Sequence, residues 1–292
     1  MPPLPFRIDD STPGRPVGIL TLEQPGKPVV VLDEDLIRRL GEALDGIPQN
    51  LAGLVLASAS ERVFVAGADL SAIQSLDDAS LLAYLARASG VFIKLAQLPF
   101  PTAAAIHGAA LGGGLELAMH CDGLIGAPGA KPYPVGLPEA GLSICPGWGG
   151  TCLLPARIHP ADAIRRTAAG RTMMFDEAVG AGLFSAVAPS AGELTVAAVR
   201  WVLAQPKPAR DGTPRLHAGR PGVAGRVLEA LARVRDEVGA TEPGRAVAAA
   251  VEAGASRGWR ACLDVEQREL VRLRGTPAGR DAIAAFFAKS KK

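Results

Sequence analysis

Over roughly the first two hundred residues, short apolar runs bounded by turn residues alternate with stretches of helical spacing. Val17–Leu22, Leu54–Ala57, Ala103–Ile106 and Gly123–Ala127 read as strands, the third of them fully buried. Between the first two, Leu36, Ile37, Leu40, Ala43, Leu44 and Ile47 recur at helical spacing after the acidic start Asp33-Glu34-Asp35. A long helix is expected over Leu81–Gln97, stopped by Pro99, and a shorter one over Gly114–Met119. Asp176 has the residue type of a helix N-cap, with Gly182 at the far end. Strand, helix and strand in this order predict an α/β layer structure with right-handed crossovers.

Pro206, Pro208, Pro214 and Pro221 then break the pattern. Beyond them the spacing predicts helices over Val227–Val238, Arg245–Ala253, Cys262–Leu273 and Arg280–Ala288, with Lys289–Lys292 as a frayed, solvated end. The expected division is a core domain over residues 1–205 and a helical C-terminal section over residues 206–292.

Composition narrows the function classes. With 48% hydrophobic and 21% charged residues and a net charge of +2, nothing favours a nucleic-acid or membrane-surface partner. The most apolar stretch, Thr102–Met119, carries His107, Glu116 and several glycines, which makes it a poor membrane span. The opening MPPLPFRIDD lacks the basic-then-apolar plan of a secretory signal, and Cys121, Cys145, Cys152 and Cys262 show no zinc-like spacing. A cytoplasmic location and no bound metal are therefore expected.

Two segments carry candidate chemistry: Val63-Phe64-Val65-Ala66-Gly67-Ala68-Asp69-Leu70, and the run Ile106-His107-Gly108-Ala109-Ala110-Leu111-Gly112-Gly113-Gly114-Leu115-Glu116. Glycines between a strand and a helix let a ligand approach free backbone N–H groups, where the helix dipole favours negative charge. A developing oxyanion would be stabilised as well as a phosphate. The dinucleotide pattern G-x-G-x-x-G, the phosphate loop ending in G-K-[ST] and the hydrolase elbow G-x-S-x-G do not occur at the required positions.

Together with Gly136-Leu137-Pro138-Glu139, Pro146-Gly147-Trp148-Gly149-Gly150-Thr151, Ala169-Gly170-Arg171 and Glu177–Leu183, these segments occur in an order that resembles the crotonase (enoyl-CoA hydratase/isomerase) superfamily. The resemblance covers roughly residues 15 to 200. It continues more weakly through Glu266 and Ala285-Phe286-Phe287, an ending similar to the hydratase part of the bifunctional β-oxidation enzymes. It implies a fold of repeated ββα units with a helical C-terminal section, assembled as a homotrimer or homohexamer. It also implies an acyl-CoA thioester as substrate, with coenzyme A arriving as part of it and no separate cofactor.

The activity so implied is that of a lyase, an enoyl-CoA hydratase of fatty-acid or related acyl-CoA degradation. A Δ3-Δ2 isomerase, an acyl-CoA lyase or decarboxylase, and a non-catalytic thioester-binding scaffold are the alternatives on the same framework. By the same resemblance, the backbone N–H groups of Ala68 and Gly113 form an oxyanion hole. Glu139 exchanges the proton at the α-carbon, Glu116 positions and activates water, and the Gly147 N–H helps hold that water. Arg62 faces the CoA phosphates, and Ala66, Asp69, Leu70, Gly112 and Pro138 contribute to substrate binding, although Asp69 also suits a helix cap. His107 and His120 match no catalytic position and read as packing residues; Trp148 either lines the acyl pocket or packs.

Three features depart from the pattern. The stretch between Glu116 and Glu139 is longer than usual and contains Pro128, Pro132 and Pro134. Val30 stands where asparagine is common, and Cys152-Leu153-Leu154 replaces a polar run.

Overall fold

The computed structural model describes residues 1–290, so Lys291 and Lys292 of the expected basic end lie outside it. The first helices and strands follow in order: β1 (Phe6–Asp9), β2 (Val17–Leu22), α1 (Glu34–Asp45), β3 (Gly53–Ser58), β4 (Val63–Val65), α2 (Leu70–Ser75), α3 (Asp78–Gln97), β5 (Thr102–Ile106), β6 (Ala109–Leu111) and α4 (Gly113–Met119). There follow β7 (Gly123–Gly126), β8 (Pro134–Gly136), α5 (Gly150–Leu153), α6 (Pro160–Ala169), β9 (Met173–Met174), α7 (Phe175–Gly180), β10 (Ala186–Val187) and α8 (Leu194–Ala204). Four helices end the chain: α9 (Ala224–Val238), α10 (Glu242–Arg257), α11 (Trp259–Arg274) and α12 (Pro277–Ser290).

One six-stranded sheet has the order β1-β2-β3-β5-β7-β10, and a four-stranded sheet has the order β4-β6-β8-β9. β1 pairs antiparallel with β2, while β2-β3-β5-β7-β10 run parallel. The chain alternates between sheets: β3 then β4, β5 then β6, β7 then β8, each pair followed by a helical segment. This is the repeated ββα plan.

By contact the chain divides into two discontinuous units. The first comprises Met1–Gly67, Arg87–Val135 and Met173–Arg215; the second comprises Ala68–Ala86, Gly136–Thr172 and the chain from Leu216 onward. In the first, α8 covers one face of the six-stranded sheet. Val17, Ile19, Val55, Ala103, Ala105, Ile125 and Ala127, alternate residues of their strands, meet Leu194, Ala198, Val199 and Val202. In the second, α10 packs against α6, α9 and α11.

The elements the pattern missed are those without periodic burial. β1 is exposed along three of its four residues, and β9 and β10 have two residues each. The C-terminal helices begin about one turn earlier than their apolar spacing suggests. In α10 the added turn is set by the Thr241 cap, whose hydroxyl accepts from the Gly244 N–H at 3.1 Å. Asp176 is not an N-cap: Met174 holds that position, and Asp176 lies in the first turn of α7, where its charge suits the helix dipole. Lys289 belongs to the last turn of α12 instead of a frayed end.

Among the described residues, α3 is the one helix long and apolar enough to cross a membrane by length and composition. Its buried positions, Leu81, Tyr84, Leu85, Ala88, Val91, Phe92, Leu95 and Ala96, form the stripe of a core helix, and Arg87 and Lys94 lie outside that stripe.

The proline-rich stretch before Glu139 is tied down by Tyr133. Its buried hydroxyl donates to the Ala127 carbonyl at 2.8 Å and lies 3.3 Å from that of Ile106, and its ring meets Phe175 at a tilt, centroids 5.2 Å apart. The Phe175 N–H returns to the Tyr133 carbonyl at 3.0 Å, and Val135 pairs with Met173. Tyr133→Phe, which takes the donor from the Ala127 carbonyl while Ile106 keeps that of the Ala127 N–H, is expected to cost about 1–2 kcal/mol. A urea midpoint that falls at unchanged m-value checks this; an unmoved midpoint would show that the hydroxyl does not anchor the stretch.

Candidate active site

In the first unit, the glycine run turns the chain from β6 into α4. Gly112 is the N-cap with φ 51°, a conformation that disfavours a side chain, and it accepts from the N–H groups of Leu115 (2.9 Å) and Glu116 (3.0 Å). Gly114 lies so close to β4 that a Cβ there would overlap the Val65 carbonyl. The run thus serves two needs at once, a left-handed cap and close helix–strand packing.

Gly113 opens the helix, where N–H groups have no intrahelical acceptor, and Gly112 offers no side-chain cap. Glu116, one turn in, is only 1% exposed. Ala66 is half-buried, and its N–H is committed to the Val30 carbonyl at 2.8 Å. Arg62 is exposed just before β4.

His120 Nδ1 lies 2.8 Å from the Glu116 carbonyl, and its ring meets Phe92 edge-on at 5.6 Å. His107 Nε2 lies 2.9 Å from the Ser60 carbonyl. Both histidines are thus engaged in backbone contacts. Among the described residues no three His, Cys, Asp or Glu side chains converge as metal ligands. A cavity of about 340 Å³ opens in this unit beside Ser58, Glu61, His107, Leu194 and Thr195. None of the sequence-predicted site residues lines it, so it does not locate the expected chemistry.

In the second unit, Ala68 is half-buried and directly precedes Asp69, whose carboxylate caps α2 by accepting from Ser71 (2.9 Å) and Ala72 (3.4 Å). Leu70 is the first residue of that helix, also half-buried. Pro138 is the N-cap of a short 3-10 turn, Glu139–Leu142, and its carbonyl accepts from Gly141 at 2.9 Å. Gly170 backs this turn at φ 64°; a side chain there would strike the Gly141 nitrogen, which gives the Ala169-Gly170-Arg171 segment a structural reason. The turn closes at Ser143, held at φ 57°, a strained value that such sites tolerate.

Glu139 as a residue is half-buried, but its Oε2 is shielded from solvent and has no hydrogen-bond partner among the described residues. Burial, and secondarily the negative charge of Glu266, push its carboxyl up to about 8. Glu139 therefore carries its proton at neutral pH.

Trp148 is buried, donates from Nε1 to the Leu85 carbonyl at 3.1 Å and meets Tyr84 edge-on at 5.7 Å, so it packs. Gly147, also buried, has its carbonyl 3.3 Å from Gln267 Nε2. Sequence reasoning left Glu266 out of the site. The available signal was its place in the apolar stripe of α11, four residues after Cys262 and four before Leu270, where a carboxylate is out of pattern.

A family model described as enoyl-CoA hydratase/isomerase matches residues 14–209. Among solved structures, an enoyl-CoA hydratase from Bacillus anthracis is 26% identical, covers 97% of this chain and 96% of its own, and superposes with TM-score 0.60. DspI from Pseudomonas aeruginosa is 26% identical over 80% of this chain and 88% of its own, with TM-score 0.59. Human mitochondrial Δ3-Δ2-enoyl-CoA isomerase shares the fold with TM-score 0.69 at 22% identity, covering 94% of each chain.

Proposed function

The chain belongs to the enoyl-CoA hydratase/isomerase family, and we propose that it adds water reversibly to a trans-2-enoyl-CoA to give a 3-hydroxyacyl-CoA. The protonated, shielded carboxyl of Glu139 carries this reading. Hydration needs an acid for the α-carbon and a base for the water, whereas moving a double bond with one carboxylate starts from the ionised form.

In the proposed reaction, Glu116 takes a proton from water as its oxygen bonds to the β-carbon. The electron pair of the double bond passes to the thioester as an enolate, held by the N–H groups of Ala68 and Gly113. Glu139 then delivers its proton to the α-carbon. Each such backbone donor in a dry site is worth roughly 3 kcal/mol. The Gly147 N–H steadies the water. Arg62, exposed and with no ion-pair partner among the described residues, is the proposed contact for the CoA phosphates, and Ala66, Asp69, Leu70, Gly112 and Pro138 form the binding wall. The Asp69 contribution comes through its backbone, because its carboxylate caps α2. No further cofactor enters, and the working assembly is a cytoplasmic homotrimer or homohexamer.

The wild-type protein is expected to bleach the conjugated-thioester absorbance of crotonyl-CoA and to form 3-hydroxybutyryl-CoA. Conversion of a 3-enoyl-CoA to its 2-enoyl isomer without hydrated product would replace this reading by isomerisation. Binding of both esters with turnover of neither would remove catalysis from it altogether.

A further inference from the structure

The segment Cys145–Thr151 is held from one side by α11, all within the second unit. Glu266 is completely buried. Its Oε2 accepts from the Gly149 N–H at 2.5 Å, and its Oε1 accepts from the Thr151 N–H at 2.8 Å and the Thr151 hydroxyl at 2.5 Å. The next residue, Gln267, donates to the Gly147 carbonyl at 3.3 Å. Cys145 Sγ donates back to the Glu266 carbonyl at 3.6 Å. One turn further, Leu270 Cδ1 lies 2.9 Å from where a Cβ on Gly147 would stand. Three positions of one helix thus engage residues 145, 147, 149 and 151.

The choice of a carboxylate here has a physical reason. Three donors converge on two oxygens, and only an ionised carboxylate accepts all of them without presenting a hydrogen of its own. An amide would set its NH₂ against the Gly149 or Thr151 N–H. Charge-assisted bonds to backbone N–H groups are also the stronger kind.

We propose that Glu266 is a positioning residue for the hydration, fixing the Gly147–Thr151 turn so that the Gly147 N–H is presented to the attacking water. This rests on the hydratase reading above. The same charge has a second effect, because it acts on Glu139 and helps to keep the proton there. Burial pushes Glu266 itself up to about 7, opposed by its bonds from Thr151 and Gly149. With three donors satisfied it is Glu266 that holds the charge, and Glu139, with a partnerless oxygen, that holds the proton.

Cys152 and Cys262 act on Glu266, and His217 acts on Cys152. The 3-10 turn of Glu139 also packs against α6 and α12. There Arg165 pairs with Glu237, Arg166 with Asp162, and Arg280 donates to the Gly275 carbonyl. Asp281, in the second turn of α12, is the remaining acid of these two helices; Glu266 is the charge that acts on Glu139.

Glu266→Gln, Glu266→Asp and Thr151→Val test both effects. Turnover is followed with crotonyl-CoA, and the Glu139 carboxyl is titrated by carbon-13 NMR in substrate-free protein, assigned by the signal lost in Glu139→Gln. Glu266→Gln is expected to lower kcat by about 10²-fold, with KM changed little, and to move the Glu139 titration to lower pH. Glu266→Asp regains part of kcat and restores the titration. Thr151→Val, which removes one of the bonds that keep Glu266 ionised, loses part of kcat and moves the Glu139 titration less far in the same direction as Glu266→Gln.

Unchanged kcat and titration in Glu266→Gln would overturn the proposal. So would a loss of kcat and KM together with lowered thermal stability, an unmoved titration and no rescue by Asp, which is the behaviour of a merely structural residue. The NMR readout needs no turnover, so a wild type that fails to hydrate crotonyl-CoA overturns the hydratase reading without disturbing the measured Glu266–Glu139 coupling.

Discussion

Glu139→Gln is expected to lower hydration of crotonyl-CoA by about 10²–10⁴-fold and, at the same time, to make the folded protein more stable above neutral pH. The first half follows from the proposed role, since an amide has no proton to deliver to the α-carbon. The second half follows from linkage. In the unfolded chain the Glu139 carboxyl ionises near its ordinary 4.5, whereas in the folded protein burial holds it near 8. Between those values the folded state binds a proton that the unfolded state has released, so stability falls as pH rises.

Below 4.5 both states are protonated and this group contributes nothing; above 8 the full penalty is present. The slope is roughly 1.4 kcal/mol per pH unit at most, reduced by the solvent that reaches this half-buried residue. Glu139→Gln removes that slope. Chemical denaturation at pH 5 and pH 8 is therefore expected to show near-equal stability for the two proteins at the lower pH and a more stable variant at the higher.

Glu116→Gln should lose activity on a similar scale. If Glu139→Gln is no more stable than wild type at pH 8, the folded protein does not raise this carboxyl, which is then ionised at neutral pH and cannot be the proton donor. Loss of function with gain of stability is the signature of a group kept at a site against its own folding preference.

The readability of this fold from its sequence varied with how much each element relied on its own residues. α1 was legible because Asp33 caps it, accepting from Leu36 at 2.8 Å, and Leu36, Ile37, Leu40 and Leu44 line one buried face. The Gly112–Glu116 segment was legible because three consecutive glycines have few physical uses, and two of those uses, a left-handed cap and a close approach, are found there. β1 was hidden because an exposed edge strand has no apolar alternation to display. Asp176 was placed two residues from the true cap because residue type alone does not distinguish a cap from a first-turn acid, both of which satisfy the same helix end.

Of the candidate site, the residue types were readable, but what changes Glu139 was not. Its shielding comes from the fold around it and its neighbouring charge from Glu266, more than a hundred positions along the chain. Periodicity reports which face of an element is buried. It does not report which buried polar groups meet.

Arg210→Met is expected to destabilise the first unit by about 3–5 kcal/mol, the largest stability effect anticipated for a residue remote from the proposed chemistry. Arg210 sits between Pro208 and Pro214, in the stretch that reads as a boundary, yet its guanidinium N–H groups are pinned along its edge. Nη1 and Nη2 meet the two Asp122 oxygens at 2.7 and 2.8 Å, while Nε and Nη2 reach the carbonyls of Leu98 (2.8 Å) and Phe100 (2.9 Å). The Asp122 side chain has no exposure, and its Oδ2 also accepts from the Thr102 N–H at 2.9 Å.

Removing the cation therefore leaves a buried carboxylate with only Thr102 to satisfy it, and that uncompensated charge is the main cost. Changing Asp122→Asn in the same chain removes the charge while keeping an acceptor for Thr102, so the double variant should recover about 1–3 kcal/mol relative to the sum of the singles. Added salt should alter the coupling little, because the pair is shielded. The exposed pair Arg165–Glu237, with side chains 46% and 61% exposed, serves as the contrast, its coupling expected below about 1 kcal/mol and weaker in salt. A loss under about 1 kcal/mol for Arg210→Met, or strict additivity with Asp122→Asn, would mean that the strap rests on the first unit without holding it.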